Sequence, residues 1–141
     1  MLILSRSSTD TFNAGKKLGE KLAGGSVVLL SGFLGAGKTV FAKGIAAALD
    51  VQETVVSPTF TLMNEYAAAQ GLTLYHIDAY RIACEKDLAE TGIADTIGAR
   101  GAVTLIEWHE NIPALVKGRE ATHVTLTVTH GDEREITIEV P

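Results

Sequence analysis

Residues Gly32 to Thr39 read Gly-Phe-Leu-Gly-Ala-Gly-Lys-Thr, the pattern G-x-x-x-x-G-K-T, set between an apolar run and a helical one. No other segment restricts the fold as much. Val27-Val28-Leu29-Leu30 is short, aliphatic and β-branched, as suits a strand buried in a parallel sheet. Beyond the loop, Phe41, Ile45, Ala48 and Leu49 recur at helical spacing. The glycines let the backbone take conformations that a Cβ would penalise, so successive amides can turn toward phosphate oxygens. The helix beginning near Lys38 adds unpaired N–H groups and the positive end of its dipole. Lys38 has the reach for β- and γ-phosphates, and Thr39 offers a hydroxyl to magnesium. A glycine-rich turn before an ordinary helix would need none of these fixed positions together. The loop therefore reads as a nucleoside triphosphate site.

Composition narrows the setting. A chain of 141 residues can bury one core, and with 46% hydrophobic and 21% charged residues it reads as globular. No apolar run approaches the ~20 residues that span a bilayer, and Met1 to Arg6 lacks a basic stretch ahead of a long apolar one. Cys84 is the single cysteine, which excludes an intrachain disulfide and a cysteine-rich metal site. These features predict a cytoplasmic protein with no membrane partner. The net charge is −5, from 17 acidic and 12 basic residues with no basic cluster, so any RNA is expected to be held by another subunit.

The remaining pattern predicts a single α/β domain over residues 1–141. Leu2 to Leu4 reads as a strand, and Ser7-Ser8-Thr9-Asp10 caps a helix with Phe12, Ala14, Leu18 and Leu22 on its apolar side. Thr54 to Val56 and Phe60 to Tyr66 read as strands around Ser57-Pro58-Thr59. Leu72 to Asp78 is a strand, Leu88 lies in a helix, and Ala102 to Glu107 is another strand. The tail alternates at period two, with Val124, Leu126 and Val128 in one run and Ile136, Ile138 and Val140 in the other. That pattern predicts an antiparallel hairpin turning at His130-Gly131-Asp132-Glu133.

Phosphoryl chemistry also needs an acid on a neighbouring strand end to organise magnesium and water. Asp78 and Glu107 each close an apolar run, and strand carboxyl ends line the ligand crevice of an open parallel sheet. By residue type alone each is otherwise a solvated acid opening a loop. Ser57-Pro58-Thr59 follows the loop helix, where a hydroxyl can sense the γ-phosphate, although the tripeptide alone reads as a turn. Trp108 begins at the expected crevice, and core packing is the reading its residue type alone favours. Tyr80 and Arg81 stand just beyond Asp78. The four histidines lack ligand spacing, and His76 reads as a hydrogen-bonded core histidine.

Taken in order, Gly-x-Leu-Gly-Ala-Gly-Lys-Thr, Ser57-Pro58-Thr59-Phe60-Thr61, His76-x-Asp78-x-Tyr80-Arg81, Leu88-x-x-x-Gly92-Ile93 and Ile106-Glu107-Trp108 closely resemble the TsaE (formerly YjeE) family. The resemblance runs from about Ser7 to Trp108 and leaves the hairpin tail as a generic element. It implies a three-layer P-loop NTPase-like domain with a central, mostly parallel sheet. It implies weak ATPase activity with ATP and Mg2+, in a complex with a TsaD-like transferase subunit and a TsaB-like paralogue that modifies tRNA. By position it assigns Lys38, Asp78, Glu107 and Thr59 to catalysis, and Thr39 and Glu107 to the metal. It assigns Gly35, Ala36, Gly37, Lys38, Thr39, Val40, Ser7 and Trp108 to the nucleotide. This chain departs from the family pattern at Phe33, where Asp is usual, and at Val40, where Thr is usual. Two other readings of the same loop stand beside this one: a small-molecule kinase, and a nonhydrolytic scaffold that ATP orders for a partner.

Overall fold

Strand β2 (Val27–Ser31) and strand β5 (Ala102–Glu107) lie side by side at the centre of the sheet, nearly every residue buried, because their aliphatic runs have no polar face to give to water. The computed structural model describes residues 1–83, 85–88 and 91–141. Cys84, Ala89 and Glu90, and with them the lone-cysteine reading and part of the Leu88–Gly92 motif, lie outside the described residues.

The chain runs from β1 (Leu2–Ser5) through α1 (Ser8–Gly19) to β2, and from the glycine loop into α2 (Lys38–Ala48). It continues through β3 (Met63–Ala67), β4 (Thr73–Asp78), α3 (Ile93–Thr96), β5, α4 (Pro113–Val116), β6 (Thr122–His130) and β7 (Glu133–Glu139). All seven strands form one sheet in the order β1-β7-β6-β2-β5-β4-β3. The central four, β6, β2, β5 and β4, are parallel. Antiparallel strands close both edges, with β3 on β4, and β7 and β1 beyond β6.

Strand alternation sends Val28, Leu30, Leu105 and Leu126 to the face covered by α1 and α2, where Phe41 and Ile45 fill the core. Leu29, Ile77 and Ile106 point to the other face, under Leu88, Ile93, Ile97 and Ile112. The result is the expected three layers. Helices α1 and α2 lie unusually close, because a methyl group at Gly15 would overlap the Phe41 carbonyl and one at Gly44 the Phe12 carbonyl.

Three local expectations change. Residues 54–56 form no strand: the Val56 N–H donates to the Tyr66 hydroxyl, and its carbonyl accepts from the Asn64 side chain, so side chains replace a neighbouring strand. The strand expected from Phe60 begins only at Met63, since the Leu62 N–H folds back onto the Pro58 carbonyl in a turn. The helix expected around Leu88 is a single 3-10 turn over Glu85–Leu88.

Candidate functional site

The parallel register sets Asp78 beside Glu107 at the carboxyl ends of β4 and β5, and Glu107 beside Leu30 of β2, two residues before the glycine loop. Strand β2 then turns into the loop, and Gly37, with φ of 100°, hands the chain to α2. A side chain there would be strained in this left-handed conformation, so glycine is required for the helix to start with its amides facing the loop.

Lys38, the first residue of α2, is only 8% exposed, and its Nζ lies 3.6 Å from Glu107 Oε1. The other carboxylate oxygen, Oε2, lies 2.7 Å from Nε2 of His76, a ring 1% exposed on β4. His76 Nδ1 has no hydrogen-bond partner, so a proton there would face no acceptor. The ring therefore carries its proton on Nε2 and donates to Glu107, a tautomer inferred from the network. The sequence reading of His76 as a hydrogen-bonded core residue holds, and its partner is the candidate metal ligand. Glu107 is thus fixed at one oxygen and faces Lys38 with the other.

Asp78 is also buried. Its Oδ1 accepts from the Tyr80 N–H at 2.9 Å, and its Oδ2 accepts from the Thr59 hydroxyl at 3.4 Å. Thr59 in turn shares a 2.8 Å hydrogen bond with Ser57. The Ser57-Pro58-Thr59 segment is therefore tied to the acid on β4 although it belongs to no strand. Trp108 adopts a left-handed backbone, φ 59° and ψ 39°, which a bulky residue rarely does. Its ring lies 5.1 Å from Lys38 Nζ and 4.9 Å from the Tyr80 ring, while it also packs on the sheet face away from α1 and α2. Arg81 covers the exposed Phe60 ring at 4.6 Å. A cleft of about 290 Å³ opens beside Lys38, bounded by Ser31, Phe33, Trp108, Thr125 and Thr127.

The remaining candidates surround the same loop. Thr39 is half-buried in the first turn of α2, and Val40 follows it into a small polar recess shared with Ser7 and Gly37. Ser7 caps α1 by accepting from the Asp10 N–H. Ala36 is buried, and its N–H closes a turn onto the Phe33 carbonyl. Gly35 lies at the exposed tip, where its carbonyl accepts from Arg134 at 3.2 Å. The structure thus gathers candidate side chains around the loop in two groups, Lys38, Thr59 and Trp108 about the acids Asp78 and Glu107 at the strand ends, and Ser7 and Val40 at the recess, with Thr39 in the first turn of α2.

Arg134 and Asp132, which also line that recess, escape the sequence reading. Nothing local distinguishes them from ordinary hairpin residues, and the Arg134 contact spans 99 positions of chain. The tail is therefore part of the site's surroundings and not a generic appendage.

Thr39 and Glu107, the two residues that the resemblance assigns to a metal, offer hard oxygens of the kind magnesium takes. Among the described residues no three His, Cys, Asp or Glu side chains are placed to hold a metal by themselves. Among the described residues no helix is long and apolar enough to cross a membrane.

The family model for the threonylcarbamoyl adenosine biosynthesis protein TsaE matches residues 5–136, which takes in β6 and the first half of β7. A tRNA threonylcarbamoyladenosine biosynthesis protein TsaE of Treponema pallidum is 42% identical over 138 residues, covering 98% of this chain and 99% of the relative. A protein of the same name from a Nostoc species is 40% identical over 129 residues, covering 87% of this chain and 74% of the relative. Among solved structures, the crystal structure of Bacillus subtilis YdiB superposes with a TM-score of 0.80 at 30% identity, over 99% of this chain and 84% of that one.

Proposed function

Because this chain belongs to the TsaE family, the proteins of tRNA threonylcarbamoyladenosine biosynthesis, we propose that it is the ATP-using member of that machinery. On this reading it is a P-loop ATPase that binds ATP with magnesium and hydrolyses it slowly, driving or resetting the complex that modifies tRNA. Its partners are a TsaD-like transferase subunit and a TsaB-like paralogue, in the cytoplasm. Transfer RNA is reached through them, in keeping with a net charge of −5 and no basic cluster.

One observation carries the reading: Glu107 stands between Lys38 and His76 at the mouth of the glycine loop. Lys38, set in the first turn of α2 and partly shielded from water, supplies fixed positive charge to β- and γ-phosphate oxygens. His76 orients Glu107, leaving one carboxylate oxygen for magnesium or for its waters. Asp78 holds Thr59, so the hydroxyl segment follows what happens at the strand ends. Bound magnesium would neutralise the charge that develops between the β- and γ-phosphates. The Trp108 ring, tilted against Tyr80, lies beside the Lys38 ammonium on the side of the strand ends.

The test is phosphate release from MgATP by the isolated chain. Wild type is expected to turn over slowly, and Lys38→Ala and Glu107→Gln to fall by about 100-fold or more. Glu107→Gln keeps the shape and the His76 contact, so its loss isolates the charge. Wild-type turnover in both variants would remove these residues from the mechanism. Phosphoryl transfer to an added nucleoside or sugar in place of release would make the protein a kinase.

A further inference from the structure

We infer that the outer edge of β1, with the groove between β1 and α1, is a strand-addition site for a partner segment of alternating apolar and acidic residues. Strands β7 and β6 separate this edge from β2, and none of the residues assigned above to the nucleotide lines the groove. The inference does not depend on the nucleotide reading.

The backbone supplies the first argument. Among the described residues β1 has a neighbouring strand on one side alone. Met1 and Ile138 exchange both backbone hydrogen bonds across β1 and β7, each at 2.9 Å. Such pairs alternate along an antiparallel ladder, so the bonds of Ile3 also run inward to Ile136, and the N–H and C=O groups of Leu2 and Leu4 point outward. Sheet edges are commonly guarded by charge, proline or a bulge. The opposite edge, β3, follows this rule with exposed Glu65. Residues 1–5 read Met-Leu-Ile-Leu-Ser and hold register with β7 without interruption, so β1 has none of these guards. Its side chains continue the invitation. Leu2 is 66% and Leu4 47% exposed, both on the sheet face opposite Ile3.

On the α1 side the edge opens into a groove of about 920 Å³ with Ile3, Ala14, Leu18 and Ile138 along its floor. Positions 10, 13, 14, 17, 18 and 21 form one stripe along α1 and the turn that ends it, which sets Lys17 and Lys21 over that floor with Lys16 beside them. These three lysines enter no ion pair among the described residues, in a chain whose net charge is −5. Of the two acids on the rim, Asp10 already accepts from the Arg6 N–H at 3.0 Å, and Glu20 is the C-cap of the helix. An extended peptide answers all of these features together. Its backbone pairs with Leu2 and Leu4, its apolar side chains pack against theirs on one face, and its carboxylates meet the lysines on the other. A second copy of this chain answers them badly. Two-fold pairing of β1 with itself would bring identical lysine stripes face to face.

The experiment follows the amide signals of the isotope-labelled chain by NMR during titration with two capped peptides, Glu-Val-Glu-Val-Glu-Val and the same sequence with Lys in place of each Glu. The acidic peptide is expected to give saturable shifts and slowed hydrogen exchange at Leu2 and Leu4. It should bind about tenfold more tightly than the basic one at low salt, with the difference shrinking as salt is raised. The double variant Lys17→Glu, Lys21→Glu should reverse the preference, and because both lysines are exposed, thermal unfolding serves to check that it folds. Absence of saturable shifts at β1, or equal affinity for the two peptides, would overturn the assignment. A dimer of the chain alone in sedimentation, abolished by Leu4→Glu, would also overturn it and give the edge to a second copy.

Discussion

At Glu107 the two carboxylate oxygens have separate neighbours, a lysine on a helix and an imidazole on the adjacent strand, and this division is what burial demands. A carboxylate 4% exposed needs partners at both oxygens, or its desolvation goes uncompensated. The same reasoning at His109 gives a pH dependence. Burial lowers its pKa below the usual imidazole value, against Glu110, which raises it, and together with His123, which lowers it further. The folded chain therefore takes up this proton less readily than the unfolded chain. The resulting stability is complete above the unfolded value of about 6.5 and is lost as pH falls through it toward the folded one. Between pH 7 and pH 5.5 the urea midpoint of wild type is expected to drop, and that of His109→Asn to drop less. Parallel declines of the two would place the titrating group elsewhere.

The close crossing of α1 and α2 fixes where both helix N-termini point, and it depends on two glycines. Gly15→Ala and Gly44→Ala each place a methyl on a backbone carbonyl, which cannot rotate away as a side chain would. Each is expected to lower stability by about 1–3 kcal/mol, although alanine itself favours a helix by about 1 kcal/mol. Urea denaturation measures it, and an unchanged or raised midpoint would mean the helices separate freely. What sequence reveals about such elements depends on how local the cause is. The loop was legible because its glycines and Lys38 act within eight residues, and β2, β5 and the hairpin because apolar period is a local property. Asp78 and Glu107 were legible as acids closing apolar strands. Residues 54–56 looked like a strand because Thr and Val favour one, but a strand needs a neighbour and the sheet provides none there. Arg134 was hidden for the converse reason: its partner, the Gly35 carbonyl, is an ordinary backbone group far away in sequence.

On the scale of the whole molecule, the proposed ligand bridges elements gathered at the carboxyl ends of the central strands: the glycine loop, the α2 start, and the β4 and β5 ends. Saturating MgATP at a hundred times its dissociation constant is expected to add about 2.7 kcal/mol. For a chain of 141 residues this raises the melting temperature by about 8 °C. Differential scanning calorimetry should show no such rise for Lys38→Ala, and a rise of equal size there would disconnect the stabilisation from the loop. The strand order carries a consequence for synthesis. Strand β2 is flanked by β5 and β6, both made long after it, and β1 waits for β7. A ribosome therefore releases the phosphate loop well before anything exists to flank it, leaving a bare aliphatic segment for chaperones to shield. Only when the β6–β7 hairpin clears the exit tunnel can Arg134 clasp Gly35, so a chain stalled before β7 has emerged lacks that fastening at its loop.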